Sequence, residues 1–144
     1  MKPFTLDAVL QHRKSLEDQA AYRLVKAREE EKEAQRRLND EEETLKILIE
    51  TMAREQTLGI EVVKLAQFEQ RIILIGKQVQ ALQATLLKKQ EAVNRAQKHL
   101  VAKSKDRKIM ETLQQKQDEA WQQYLNKKET ATLDEIAVIF HNRE

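Results

Sequence analysis

The amino-acid sequence predicts an all-α protein, a long antiparallel two-helix coiled-coil hairpin whose second helix is longer than the first. Three observations carry that expectation. The 144 residues are 35% charged and 4% aromatic, with two glycines and one proline. So few breakers, set among abundant Glu, Lys, Arg, Gln, Leu and Ala, suit long helices that bury a narrow seam instead of a deep core. Two stretches repeat apolar residues in alternating steps of three and four, the spacing that keeps one stripe of a helix turned toward a partner. Those stretches are out of frame with each other, and Gly59 lies in the gap between them.

The first seam runs through Leu24, Ala27, Glu31, Ala34, Leu38, Glu41, Leu45, Leu48 and Met52, and extends back through Ala20, Arg13, Leu10 and Leu6. Pro3 and Thr5 suit a helix start, and Asp7 complements the positive end of the helix dipole. The first helix is therefore expected over about residues 5–55. Glu31 and Glu41 fall on the seam and weaken it, which either helps to specify register or leaves a mobile region.

The break is "EQTLGIEV". Glycine permits the positive φ that ends a helix, and Glu61 suits the first turn of the next one. A turn over about residues 56–61 follows, in preference to one continuous helix paired with a second chain.

The second seam is stronger: Leu65, Phe68, Ile72, Ile75, Val79, Leu82 and Leu86, then Val93, Ala96 and Leu100. Gly76 costs about 1 kcal/mol relative to Ala, which the apolar residues around it outweigh. The repeat stumbles at Lys103 and Arg107 and resumes with Met110, Leu113, Trp121 and Tyr124. With no Gly or Pro beyond Gly76, the second helix is expected over about residues 62–130. Thr132 and Glu135 have capping-box spacing, which fits a short restarted helix over 132–141 as well as one unbroken helix.

A reversal near residues 57–60 places Leu6 opposite a residue between 107 and 114. Leu113, Trp121, Tyr124 and Leu125 then lie beyond the first helix. A stripe of Met110, Leu113, Gln117, Trp121 and Tyr124, beside Arg107 and Lys108, is expected to form a contact surface for another protein. The tip around Leu45, Phe68 and Ile72 is a second candidate contact region.

The length fits one domain. Net charge is +2, but residues 40–61 carry seven acids against two bases, and residues 88–108 eight bases against two acids. Such asymmetry can orient a partner. The basic stretch lacks interleaved aromatics, so no nucleic-acid partner is expected. The absence of cysteine excludes disulfides and thiolate chemistry. "MKPFTLDAVLQHR" lacks the apolar run of a signal peptide, and "IILI" is far short of the ~18 residues of a transmembrane helix. A cytoplasmic chain without a transmembrane segment, monomeric on its own, is expected. His12, His99 and His141 have no acid at metal-ligand spacing, and neither a phosphate-binding glycine loop nor a nucleophile elbow is present. No enzyme, cofactor or metal is expected.

"FTLDAVLQHRKSLEDQAA", "LAQFEQRI", "KDRKIMETLQQKQDEAW" and "LDEIA" occur in this order around a central turn. Together they resemble the FliJ family, the small soluble component of flagellar protein export. The resemblance covers nearly the whole chain. It implies an antiparallel two-helix coiled coil similar to the central stalk of rotary ATPases, peripherally associated with the inner face of the cell membrane at the export apparatus. It further implies three partners: the hexameric flagellum-specific export ATPase, the cytoplasmic domain of the export-gate membrane protein, and export chaperones. On that reading Met110, Leu113, Gln117, Trp121, Tyr124, Arg107 and Lys108 are expected to meet the ATPase, and Leu45, Phe68 and Ile72 the gate or a chaperone. The alternatives are an injectisome-type secretion stalk or a generic coiled-coil scaffold.

Overall fold

The structure is a computed structural model, and it describes residues 6–143. Two helices account for nearly all of them: α1, Asp7–Leu58, and α2, Val62–Arg143. They pack against each other as a hairpin, with α2, at 82 residues, longer than α1, at 52. Pro3 and Thr5, expected at the start of the first helix, lie outside the described residues.

The turn is tighter than the sequence suggested. α1 continues to Leu58, and among the described residues Gly59 alone takes the left-handed conformation, φ +91°. That backbone is unstrained only without a Cβ, so glycine at this position ends the helix. Glu61 stands one residue ahead of α2 instead of inside its first turn, and its carbonyl accepts the opening hydrogen bond from the Leu65 N–H at 3.0 Å.

α2 then runs without a break to Arg143. Thr132 does not cap a new helix. Its hydroxyl donates to the Lys128 carbonyl one turn back, at 3.0 Å, a bond that a mid-helix threonine can make without interrupting the backbone ladder.

Contacts divide the chain into two units: Ala20–Leu100, and Met1–Gln19 with Val101–Glu144. In the first, Ala34, Leu38, Leu48, Ile75, Val79 and Leu86 form a buried cluster, with Leu45, Phe68, Ile72 and Leu82 packed against it. All ten are seam positions of the two heptad patterns. Each large aliphatic side chain removed from water there contributes roughly 1.5–3 kcal/mol. Glu31 and Glu41 are half-buried on the same stripe. In the second unit Leu10 and Met110 are buried.

Candidate docking surface on the second helix

In the unit that holds the start of α1, Leu10 is 2% exposed and Met110 3%. Polar contacts join the two helices beside them. The Arg13 guanidinium donates through Nη1 to the Asp106 carbonyl at 2.9 Å. Arg107 Nε donates to both carboxylate oxygens of Glu17, at 2.8 and 3.0 Å, while its Nη1 reaches Glu111 at 2.7 Å. This explains the stumble in the repeat. The seam position at Arg107 is filled by a half-buried guanidinium satisfied from both helices, not by an apolar side chain.

A hydrogen bond from the Ser104 side chain, then the Arg107 guanidinium, hold the Glu17 carboxyl below the usual carboxylate range. A lowered folded-state pKa stabilises the fold fully above the unfolded-state value, and that stability is lost as pH falls through the folded-state value. Glu17→Gln is therefore expected to lower the melting temperature near neutrality and to lessen its further fall below about pH 4.5. A series of thermal melts across the acid range measures this, and an unchanged acid limb would show that Glu17 contributes nothing to it.

The structure changes the expected contact surface in two ways. Met110 cannot be part of an open stripe: it lies on the α2 face that turns toward α1, and it is buried. Arg107 likewise is not a free base, because Glu17 and Glu111 already neutralise it. Of the remaining predicted residues, Leu113, Tyr124 and Lys108 are exposed, and Gln117 and Trp121 are half-buried. The Trp121 and Tyr124 rings, one helical turn apart, stack with centroids 5.4 Å apart and planes 24° from parallel. At the other candidate region, Leu45, Phe68 and Ile72 are not an open tip. They occupy seam positions and pack, partly buried, against the buried cluster. The exposed apolar residues at the turn are Leu58, Val62 and Val63.

The exposed apolar run on α2 extends well beyond Tyr124, where the expected contact stripe ended. Every residue from 122 to 143 is exposed, and Leu133, Ile136, Val138, Ile139 and Phe140 are among them, Phe140 at 63%. Leu133, Ile136 and Phe140 recur in steps of three and four, so they share one helix face. The signal was present in "EIAVIF", an apolar run in a charged chain, whose continuity with Tyr124 depends on the unbroken one of the two helix readings.

A run of exposed apolar side chains on a helix is the kind of surface that meets another protein. A scan against family models matches residues 1–144, the whole chain, to the family described as flagellar FliJ protein. The chain belongs to the FliJ family. FliJ proteins are non-catalytic components of flagellar export, so membership makes this chain a flagellar export component. It favours that reading over an injectisome stalk or a generic scaffold. Searches of curated proteins and of solved structures found no match to this FliJ-family chain. Among the described residues, no helix is long and apolar enough to cross a membrane.

Proposed function

We propose that the protein acts without catalysis as a stalk-like adaptor of flagellar export. The distal part of α2 binds the hexameric export ATPase, and the rest of the hairpin couples that enzyme to the cytoplasmic domain of the export gate and to export chaperones. The protein alone is a monomer, and it works in the cytoplasm at the inner face of the cell membrane. The observation that carries the reading is the exposed apolar stretch of α2, from Leu113 and Tyr124 to Leu133, Ile136 and Phe140. Burial of such side chains in a ring lining would supply the affinity, and the exposed Lys108 would mainly speed and orient the encounter. Contact with the gate or a chaperone is placed at Leu58, Val62 and Val63, which are exposed, whereas Leu45, Phe68 and Ile72 are partly buried against the seam.

The test is a Tyr124→Ala, Leu133→Ala, Phe140→Ala variant assayed with the purified export ATPase. All three side chains are exposed, so helical circular dichroism should match the parent. Affinity for the ATPase and stimulation of its hydrolysis should fall at least about tenfold, since a few apolar and aromatic anchors carry most of the energy of such contacts. Parental binding and stimulation by the folded variant would refute the assignment.

A further inference from the structure

The middle of α2 has a second apolar face. Ile75, Val79 and Leu86 point into the buried cluster, whereas Ile73 and Leu74 are 59% and 57% exposed. At about 100° per residue, Ile73, Lys77, Ala81, Ala84 and Lys88 fall in one stripe on the side of α2 opposite that cluster, with Leu74 along its edge. All of these residues are exposed. The outward side of a coiled coil ordinarily mixes charges of both signs. Here residues 70–90 contain Arg71, Lys77, Lys88 and Lys89 and no acid at all. Lys89 is paired with Glu30 at 3.2 Å, but among the described residues Arg71, Lys77 and Lys88 take part in no ion pair.

We propose that the outward face of α2 from Ile73 to Lys88 docks an acidic amphipathic helix of a partner protein. The anchors and the charges agree on that occupant. Ile73 and Leu74 offer apolar contact, Ala81 and Ala84 let a second helix approach closely, and Lys77 and Lys88 face carboxylates flanking the partner's apolar stripe. A lipid surface fits less well. A helix that lies in a bilayer interface keeps its apolar centre free of charge, and here both lysines lie in the middle of the stripe. The proposal does not rest on the reading of the distal part of α2, because the two surfaces share no residue.

The experiment uses the full chain and a synthetic helical peptide with leucines at i, i+3, i+4 and i+7 flanked by glutamates. The controls are the same peptide with lysines for glutamates, and phosphatidylglycerol vesicles. Fluorescence anisotropy should show binding of the glutamate peptide alone, with new hydrogen-exchange protection over 73–88. Lys77→Glu with Lys88→Glu should weaken that binding at least about tenfold and transfer the preference to the lysine peptide, and Ile73→Ser with Leu74→Ser should weaken binding of both. All four side chains are exposed, so helicity should hold in every variant. Failure of the glutamate peptide to bind, protection elsewhere, or parental affinity in the variants would overturn the proposal. So would vesicle binding in place of peptide binding, or a dimer of the chain that protects the same face.

Discussion

Leu38→Asp is expected to abolish the cooperative thermal melt of the hairpin, while Leu133→Asp leaves it near the parental value. Leu38 lies in the cluster with Ala34, Leu48, Ile75, Val79 and Leu86. Truncating a buried leucine costs about 2–5 kcal/mol. The aspartate adds a carboxylate in an apolar seam with no partner, a further cost that protonation only partly relieves. Against a total stability of roughly 5–15 kcal/mol, the sum is enough to unfold the unit. Leu133 is exposed on α2 and loses no packing. Melts of both variants, followed by helical circular dichroism, give the comparison. Equal losses would show that the distal helix is packed in solution, and equal retention would remove the seam as the source of stability.

Met110→Ala is expected to be nearly as costly, but only locally. At 3% exposure its side chain is as enclosed as Leu10, and truncation to alanine should cost about 2–5 kcal/mol in the unit they share. Native-state hydrogen exchange should show faster opening of residues 7–19 and 101–114, with protection across the cluster from Ala34 to Leu86 unchanged. A variant that keeps its protection there while losing affinity for the ATPase would return Met110 to the docking surface.

The fold was legible because it depends on spacing. Steps of three and four put Leu24, Leu38, Leu48, Ile75, Val79 and Leu86 on facing stripes, and every one of them is buried. Gly59 at positive φ confirms why the chain reverses there. The boundaries were less accessible. Glycine controls where α1 can stop but not how closely it approaches that point, so α1 ends at Leu58 and not near residue 55.

The contact surface was legible only in outline. Apolarity marks a residue for burial without saying by what, so Met110, enclosed within its own unit, looked the same as Leu113, which is exposed. Arg107 looked like a steering charge because its partner Glu17 is 90 residues away in the chain. Phe68 and Ile72 lie near the turn in sequence and so resembled a tip, but heptad position decides their direction, and it turns them inward. The capping-box match at Thr132 left a restarted and an unbroken helix equally open, so the apolar residues from Leu133 onward could not be joined to the stripe until the Thr132 hydroxyl was seen to bond back to Lys128 within one helix.

On the proposed reading, the export ATPase binds the distal part of α2. Hydrogen exchange of the full chain, alone and saturated with the hexameric ATPase, tests it most directly. With every residue from 122 to 143 exposed, this part of the helix should exchange quickly when the protein is free. New protection is expected on binding across residues 113–143, strongest around Leu133, Ile136 and Phe140, with little change at Leu58, Val62 and Val63. Protection confined to the turn, with residues 133–140 exchanging as they do in the free protein, would contradict it.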